Sequence, residues 1–339
     1  MCAKSSSKGP SRAAARRQVA GALAAAGRII VTTHLRPDGD AVGSAAAVRR
    51  AARAAGKECR IVLLDSLPRR YAFLLGDDPP AGADQFAELA GWADCVLIVD
   101  TCAFRQLEPI ADDLKAVREK VAVIDHHATA DDVGAVAWRD TSASSAGVMV
   151  AELLAELDWP VDPHIAEALA AALLTDTGWL RYSNTDGRTL KTLARLLSAG
   201  VETDVLYRKI YQSDRPERLA LLAAALVSLE LHAGGRLAVM SLRAEDLAAT
   251  GATHAETENF VSEPMRLADV EVSVILIAMP GGQTRVSLRS RGAVDVAALA
   301  QRFGGGGHVA AAGFTDEDAL PAAKARLIAA CEQALAGGA

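Results

Sequence analysis

The chain has 339 residues, of which 51% are hydrophobic and 23% are charged. This balance excludes an intrinsically disordered protein, and the length suits two folded domains. The formal net charge is −6 and aromatic residues make up only 4% of the chain. Both values argue against a surface that grips long nucleic acid, which is normally basic and carries stacking rings.

The five cysteines are odd in number, and no two of them have the spacing of a CxxC pair. The sequence therefore favours neither a disulfide framework nor a zinc site built from thiolates. Its apolar stretches are shorter than the ~20 residues of a membrane-spanning helix. We expect a cytoplasmic protein with no membrane partner.

Apolar, β-branched segments alternate with helical segments over the first 200 residues. Alternation of this kind is typical of a doubly wound, mostly parallel α/β sheet with helices on both faces. Strands are predicted at 28–34, 58–65, 95–100 and 121–125, and helices at 41–56, 144–157, 163–175 and 186–200.

The pattern changes beyond residue 200. Residues 213–232 predict one amphipathic helix with no strand beside it, and a smaller α/β unit follows, with strands at 236–242, 271–279 and 284–290 and helices near 245–250 and 295–303. We therefore divide the chain into a frayed N-terminus (1–20), a catalytic domain (21–200), a helical linker (201–234) and a C-terminal domain (235–339). The active site is expected in the cleft between the domains.

Acidic and imidazole side chains recur at the ends of predicted strands or just beyond them. They are His34, Asp38, Asp40, Asp100, Asp125, His126, His127 and Asp176. Ligands of open parallel sheets bind outside the carboxyl ends of the strands, so we expect these side chains to converge there. A lone aspartate at a strand end is more often a turn former, and it is the coincidence of all these positions that indicates a site.

Convergence of Asp38, Asp40, Asp100 and Asp176 would be costly, because like charges ~4–5 Å apart repel by roughly 3–4 kcal/mol per pair at an effective dielectric near 20. Two divalent cations would neutralise the four carboxylates and leave Asp125 to orient a ligating histidine. Oxygen and imidazole donors favour Mn(II) or Mg(II), with Co(II), Fe(II) or Zn(II) as alternatives. Paired ions of this kind hydrolyse phosphate esters.

A second group of residues predicts an anion site near the C-terminus. Between residues 285 and 308 the sequence contains four arginines, Arg285, Arg289, Arg291 and Arg302, and one acidic residue, Asp295. The run Gly304, Gly305, Gly306 and Gly307, followed by His308, lets backbone N–H groups approach a phosphate, with Arg289 and Ser290 beside it. Arg105 and Arg181, five residues beyond Asp100 and Asp176, are candidates for contacts to a substrate phosphate from the rim.

At these residues the sequence resembles the DHH phosphoesterase superfamily. THLRPDGDAVGS, LIVD, IDHH and LLTDTGWLRYSN are similar to its four motifs, and SLRSRGAVDVAALAQRFGGGGHVAAAGF is similar to its DHH-associated C-terminal domain. The resemblance covers roughly residues 20–335. Order and spacing are those of the subfamily of bifunctional oligoribonucleases and 3′-phosphoadenosine 5′-phosphate (pAp) phosphatases.

The resemblance implies a role for each motif residue. His34, Asp38 and Asp100 would hold one manganese ion, while Asp40, Asp100, His126 and Asp176 would hold the other. His127 would contact the scissile phosphate or its leaving oxygen, so Asp100, Asp125 and His127 form the catalytic group. The C-terminal domain would bind the nucleotide end of the substrate through Arg289, Ser290, Gly304–Gly307 and His308.

The function implied is two-metal hydrolysis of short oligonucleotides to nucleoside monophosphates, or of pAp to AMP, without a groove for long strands. A cyclic or linear dinucleotide phosphodiesterase and an inorganic pyrophosphatase remain alternatives, although the GGGGH segment argues against the pyrophosphatase. A non-catalytic nucleotide sensor is the alternative from another class. A homodimer is left open.

Overall fold

The computed structural model describes residues 11–337. Contacts within the chain divide it into two compact units, the first ending at Ser213 and the second beginning at Asp214. Within residues 11–337, no helix combines the length and the apolar character that a membrane crossing requires. The predicted boundaries at 200 and 234 stay predictions.

The first unit is a parallel sheet covered by helices on both faces. Its strands are β1 Arg28–Thr32, β2 Glu58–Val62, β3 Cys95–Val99, β4 Val121–Asp125 and β5 Val136–Arg139. Its helices are α1 Arg12–Ala25, α2 Gly39–Ala54, α3 Phe86–Trp92, α4 Ala111–Ala116, α5 Ala146–Glu156, α6 Pro163–Asp176, α7 Gly187–Ser198 and α8 Thr203–Tyr211. The strand order is β2-β1-β3-β4-β5, and every pairing is parallel. The predicted fold class is confirmed.

Strand β1 shows why both faces are covered. Ile29 and Val31 pack into the larger hydrophobic cluster, with α1, α2, α5 and α6. Ile30, between them, packs into a second cluster with residues of α3 and α4. Successive side chains of a strand point to opposite faces, so a wholly apolar strand needs apolar cover on both sides.

The N-terminal stretch differs from the expectation of a frayed segment over 1–20. Helix α1 begins at Arg12, with Ser11 as its N-cap, and it buries Ala15, Val19 and Leu23. The expectation therefore does not hold for residues 12–20, because this apolar stripe is anchored in the core of the first unit. Residues 1–10 lie outside the part of the chain that the structure describes.

The second unit is a mixed sheet of six strands in the order β10-β11-β9-β8-β7-β6. Only β7 and β8 pair in parallel. The strands are β6 Glu230–His232, β7 Leu237–Leu242, β8 Val272–Ala278, β9 Thr284–Ser290, β10 Gly306–His308 and β11 Ala311–Asp316. The helices are α9 Pro216–Val227, α10 Ala244–Thr250, α11 Val296–Gln301 and α12 Leu320–Gly337.

The prediction of one helix over 213–232 is wrong. Helix α9 ends at Val227, and residues 230–232 form β6, which pairs antiparallel with β7. Helix α9 packs Leu221 and Ala225 into a hydrophobic cluster that contains Met240 of β7, so it belongs to the core of the second unit. Helix α8 precedes it, and the break between the two lies before Pro216, since a proline disfavours helical backbone in the residue before it.

Close packing between α2 and α6 leads to a test of the first unit. A Cβ atom on Gly43 would lie 2.5 Å from the carbonyl oxygen of Ala168 and 2.9 Å from the amide nitrogen of Ala172. Gly43→Ala is therefore expected to lower the free energy of unfolding by about 1–3 kcal/mol, because the backbones must separate. Urea unfolding followed by circular dichroism measures this change.

Gly21→Ala is the matched control for that substitution. Gly21 also lies inside a helix, α1, but nothing lies within 4 Å of the position its Cβ would take. This variant is expected to gain up to about 1 kcal/mol from helix propensity alone. Equal effects of the two substitutions would contradict the close helix contact.

Candidate metal centre

The site lies at the point where the strand order of the first sheet reverses. Strands β1 and β3 are neighbours, and the chain leaves them in opposite directions across the sheet. The segment after β1 carries His34 and Asp38, Asp100 follows β3 directly, and Asp125 is the last residue of β4. Since parallel strands share their carboxyl edge, the topology alone brings these side chains together at the usual ligand position of such sheets.

Helix α2 begins inside the site and positions two of the carboxylates. Asp38 is its N-cap and accepts hydrogen bonds from the backbone N–H groups of Asp40 and Ala41. The carboxylate of Asp40 is buried, and it accepts hydrogen bonds from the backbone N–H groups of Ala146 (2.6 Å) and Gly147 (2.8 Å) at the start of α5. The N–H groups of a helix N-terminus, which no carbonyl oxygen of the helix accepts, thus fix the orientation of Asp40.

Asp176 reaches the site from a helix and not from a strand, so its predicted place at a strand end is wrong. It is the last residue of α6, and an oxygen of its carboxylate lies 3.7 Å from Nε2 of His126. The apolar run before it, rich in alanine and leucine, folds as a buried helix, as predicted for residues 163–175, so Asp176 ends a helix, whereas the other predicted acids lie at or beyond the ends of strands.

The predicted side chains converge around Asp100. Its carboxylate oxygens lie 3.3 Å from Nε2 of His34 and 3.3 Å from Nε2 of His126. Three groups of potential metal donors, each with its donor atoms within 4.8 Å of one another, lie around it: His34, Asp38 and Asp100; Asp100, His126 and His127; and Asp40, His126 and Asp176. We call the first and the third of these groups the two donor sets. The roles of these residues as ligands stay a prediction, but their proximity is a feature of the structure.

The three histidines of the site share one hydrogen-bonding arrangement. Nδ1 of His34 lies 2.8 Å from the carbonyl oxygen of Leu35, and Nδ1 of His126 lies 3.3 Å from that of Ala143. In His127, Nδ1 lies 2.7 Å from a carboxylate oxygen of Asp125. An Nδ1–H that donates to these oxygens leaves Nε2 to ligate a metal or to contact a substrate, as is usual for metal-binding histidines.

Burial and the interactions between neighbouring charges shift the pKa values of the acids and imidazoles of the site. Burial raises the pKa of Asp176 to about 7, with the neighbouring Asp100 charge adding to the effect. Burial lowers the pKa of His34, but the carboxylates of Asp100 and Asp38 outweigh it and raise that pKa to about 9. In the same way the surrounding carboxylates raise the pKa of His126 to about 10. Positive charge close to the carboxylates would therefore stabilise the cluster.

A divalent metal ion would supply this positive charge. Oδ1 of Asp100 is buried, and within residues 11–337 it lacks a hydrogen-bonding partner of good geometry. Burial also raises the pKa of Asp40 well above its usual range, and the charges of Asp100 and Asp176 add to that effect. Carboxylate oxygens and imidazole nitrogens are donors for hard or borderline dications, and no thiolate belongs to either donor set.

Metal binding should therefore release protons. In the metal-free protein near pH 7.5, His34 and His126 carry protons, because their pKa values are about 9 and about 10. A dication needs their neutral nitrogens, so affinity for Mn²⁺ is expected to rise as the pH increases from 6 to 9. Calorimetric titration in buffers of different ionisation enthalpy measures the number of protons released. A binding heat that does not depend on the buffer would contradict this prediction.

Comparison with known proteins agrees with this geometry. Residues 28–173 match the model of the DHH family, N-terminal domain, and residues 234–336 match that of the DHHA1 domain. The bifunctional oligoribonuclease and PAP phosphatase NrnA of Thermus thermophilus is 34% identical over 85% of this chain and 84% of its own length. The chain belongs to the DHH family.

Two further proteins extend the comparison. NrnA of Bacillus subtilis, described by the same activities, is 27% identical over 84% of this chain and 88% of its own length. The crystal structure of an exopolyphosphatase-related protein from Bacteroides fragilis has the same fold, with a TM-score of 0.88, 24% identity and 96% coverage of both chains. The predicted family and the predicted class of enzyme, a hydrolase of phosphate esters, are confirmed.

The DHH tripeptide itself is held by groups that are distant in sequence. Asp125 is fully buried, and one of its oxygens also accepts a hydrogen bond from the backbone N–H of His127, 3.2 Å away. Arg139, at the end of β5, donates hydrogen bonds to the carbonyl oxygens of His127 and Ala128 at 2.9 and 3.0 Å. The sequence prediction missed Arg139, because a single arginine in a short strand carries no local signal.

Asp100 stands on unusual backbone. Its φ angle is +64°, in the left-handed region that residues other than glycine rarely adopt. The backbone N–H of Asp100 donates to the carbonyl oxygen of Ile124 at 2.9 Å, which continues the pairing between β3 and β4 for one more residue. Strain of this kind, held by the neighbouring strand, is typical of functional sites.

The two rim arginines are exposed, as expected for residues that approach a substrate from solvent. Arg105 lies in a short turn after β3, and Arg181 follows the turn after α6. The guanidinium of Arg181 donates through Nε to the carbonyl oxygen of Gly178 at 2.7 Å. Their contacts to substrate stay a prediction.

The predicted anion site of the DHHA1 region is arranged by strand register. Arg289 pairs with Ala311, and Ala311 pairs with His308, so Arg289 and His308 fall on the same face of the sheet. Ser290 is on the other face, is 8% exposed, and accepts a hydrogen bond from the backbone N–H of Gly292. The register therefore favours Arg289 and His308 over Ser290 as ligand contacts.

The glycine run is only partly the loop that the sequence predicted. Gly304 and Gly305 form the turn after α11, but Gly306 and Gly307 belong to β10 and pair with β11. A Cβ on Gly307 would clash with the backbone of Ala311 and Ala312, so the antiparallel pairing of β10 with β11 requires glycine at this position. Arg291 differs from the expectation too, because its guanidinium donates to the carbonyl oxygens of Met265, Leu267 and Val270.

Proposed function

We propose that the chain hydrolyses short oligonucleotides to nucleoside monophosphates and pAp to AMP, with two divalent ions, Mn²⁺ foremost and Mg²⁺ or Co²⁺ as alternatives. The observation that carries the proposal is Asp100, whose carboxylate oxygens lie 3.3 Å from the imidazoles of two separate donor sets. A carboxylate so placed is suited to bridge two ions, the arrangement used for displacement at phosphorus. The relatives named NrnA support the choice of substrates.

The donors divide between the two ions. His34, Asp38 and Asp100 would hold one, and Asp40, Asp100, His126 and Asp176 would hold the other. When bound, such ions lower the pKa of coordinated water and neutralise the oxygens of the phosphate. The chain itself fixes the geometry, since Asp40 is oriented by backbone N–H groups of α5 and Asp38 by those of α2.

His127 is suited to move a proton. Its Nδ1 is hydrogen-bonded to Asp125, which leaves Nε2 for the substrate. Burial lowers the pKa of His127, but the hydrogen bond to Asp125 and the charge of Asp100 outweigh it and raise the pKa above its usual value. An imidazolium so stabilised would donate the Nε2 proton to the departing oxygen of the ester.

The second unit would bind the nucleotide end of the substrate. Arg289 and His308 present a guanidinium and an imidazole on one face of its sheet, with Gly306 and Gly313 paired in the next row. Residues without side chains allow a ligand close to the strand backbone, and the N–H groups of the guanidinium and the imidazole suit a terminal phosphate. Arg105 and Arg181 are proposed as further phosphate contacts from the first unit.

His308→Ala is expected to raise KM for a dinucleotide about tenfold while kcat and metal content change little, because the exposed imidazole contributes to binding and lies in the unit without the metal donors. Steady-state kinetics with added Mn²⁺ measures both constants. His164→Ala, which removes another exposed histidine, is the control. An unchanged KM in the His308 variant would remove the anion contact from the proposal.

The proposed activity is tested with purified protein and three substrates in parallel. With Mn²⁺, a 5′-phosphorylated dinucleotide and pAp should be hydrolysed with much higher kcat/KM than inorganic pyrophosphate. EDTA should abolish turnover, and Mn²⁺ should restore it better than Mg²⁺. Preference for pyrophosphate would support the alternative hydrolase, and binding without any Mn²⁺-dependent product would support a nucleotide sensor.

The remaining expectations stay predictions. These are a cytoplasmic location, the absence of a groove for long nucleic acid, and the open question of a homodimer. The described cysteines, Cys59, Cys95, Cys102 and Cys331, are all buried and unpaired.

A further inference from the structure

The metal donor Asp176 is followed at once by a tight left-handed turn that carries an aromatic side chain. Gly178, Trp179 and Leu180 have φ angles of +55°, +60° and +66°. The turn is held by hydrogen bonds from the backbone N–H of Trp179 to the carbonyl oxygen of Leu174 (2.7 Å) and from that of Gly178 to Thr175 (3.1 Å). Trp179 and Asp176 thus belong to one well-defined unit at the end of α6.

Two successive residues other than glycine in this conformation are costly. A left-handed residue with a Cβ costs about 1–2 kcal/mol, and such strain persists where the surroundings hold it. The surroundings here are aromatic, because the Trp179 ring meets Tyr207 of α8 edge-on at 5.0 Å and Tyr211 at 5.5 Å. The fold of the first unit therefore presents the indole at a fixed place within three residues of the metal donor.

Trp179 forms one wall of a cavity that the proposed mechanism does not use. The cavity is a shallow depression with a volume of about 410 Å³. It is open to solvent, and Tyr207 is 39% exposed. The residues that line it are Trp179, Thr203, Asp204, Tyr207, Arg208 and Gln212.

The chemistry of this lining suits a nucleobase. The lining contains two aromatic rings, Trp179 and Tyr207, and stacking on an aromatic ring is a contact that any base can make. Thr203 begins α8 and Gln212 follows its end, so the hydroxyl of one or the amide of the other is available to hydrogen-bond the edge of a single base. Asp204 and Arg208 form an exposed ion pair at 3.3 Å, so their opposite charges give the cavity no strong preference for an anion.

We propose that this cavity, the Trp179 pocket, binds a nucleobase of the oligonucleotide whose phosphate is cleaved at the metal centre. The inference rests on the proposed function, which it deepens. Extended chain covers at most ~3.3–3.6 Å per residue, so the Cα atoms of Trp179 and Asp176 are within about 11 Å of each other. This short span is the reason that the proposal places the base of a nucleotide attached to the scissile phosphate at the indole.

The proposal is tested by comparing two substrates in one variant. The wild type should prefer a 5′-phosphorylated dinucleotide over the same compound with one base removed, measured as the ratio of their kcat/KM values. Trp179→Leu should reduce this ratio about tenfold, which lies within the effect of losing one stacking ring. Trp179→Phe, which keeps a ring, should retain most of the preference. An unchanged ratio in Trp179→Leu would overturn the base site, whatever the fall in absolute rate.

A binding measurement keeps the test independent of turnover. In excess EDTA, AMP or the dinucleotide should quench tryptophan fluorescence saturably, and the quenching should disappear in Trp179→Phe but persist in Trp159→Phe. Quenching that survives in Trp179→Phe would also overturn the proposal. If the wild type hydrolyses no phosphate ester while the Trp179-dependent quenching remains, the proposed function fails and the base site stands.

Discussion

Asp100→Asn is expected to lower kcat/KM for a dinucleotide by about a thousandfold or more and to reduce the bound metal. The carboxylate of Asp100 lies 3.3 Å from His34 and from His126, so one substitution weakens both donor sets. A thousandfold corresponds to about 4 kcal/mol of barrier, the scale of charge stabilisation that a metal supplies. Kinetics with added Mn²⁺ and metal analysis of the dialysed protein measure the two effects.

Asp112→Asn is the matched control for charge and residue type. Asp112 lies on the exposed face of α4, where it pairs with Lys115 at 2.8 Å, and it takes no part in either donor set. Its replacement should leave activity and metal content within about twofold of the wild type, since exposed ion pairs contribute little. Full activity of Asp100→Asn at saturating Mn²⁺ would contradict a shared carboxylate at the centre of the site.

Asp125→Asn is expected to lower kcat by about a hundredfold while the bound metal changes little. Asp125 belongs to neither donor set, but it is hydrogen-bonded to Nδ1 and the backbone N–H of His127. An amide can turn its NH₂ group toward Nδ1 and so favour the wrong tautomer of the imidazole, and losses of about 10–100-fold are usual for such supporting groups. Single-turnover kinetics with metal analysis separates this effect from that of Asp100→Asn.

The pH dependence of kcat is a second measurement that distinguishes the effect of Asp125→Asn. Without Asp125, His127 loses the hydrogen bond that sustains its raised pKa, so the fall of kcat at alkaline pH should begin at lower pH in the variant. Asp132→Asn, at an exposed position of the loop before β5 where Asp132 pairs with Arg118, is the control. Equal loss of metal in Asp125→Asn and Asp100→Asn would show that Asp125 acts on the metal donors instead.

Three strands of the first sheet are the easiest to predict from sequence because they are almost wholly apolar, whereas β5, with the sequence VAWR, was not predicted. Strands β1, β3 and β4 carry β-branched residues on both faces and end in, or are followed directly by, polar residues, so both their positions and the site at their carboxyl edge follow. Strand β11 escaped prediction, because its sequence AAGFTD begins with small residues that give no alternation. Strand β10 escaped for a related reason, since glycine is unfavourable in isolated strands and its use here depends on the partner strand.

The parts of the site that were missed depend on tertiary contacts. Asp40 is oriented by N–H groups of Ala146 and Gly147, more than a hundred residues away in the chain. Arg139 reaches the carbonyl oxygen of His127 only because β4 and β5 pair in register. Neither contact leaves a pattern along the sequence, whereas the donors of the metal centre do, because each follows a recognisable element.

The contact between α2 and α6 has a consequence for how the protein would lose activity on heating. Asp40 stands in the first turn of α2 and Asp176 ends α6, and these helices meet through Gly43 with almost no space between their backbones. The separation of the two carboxylates is thus set by a close contact between two core helices rather than by a loop. Thermal inactivation should accordingly coincide with cooperative melting of the whole first unit, with no early phase in which an intact scaffold has a deformed centre.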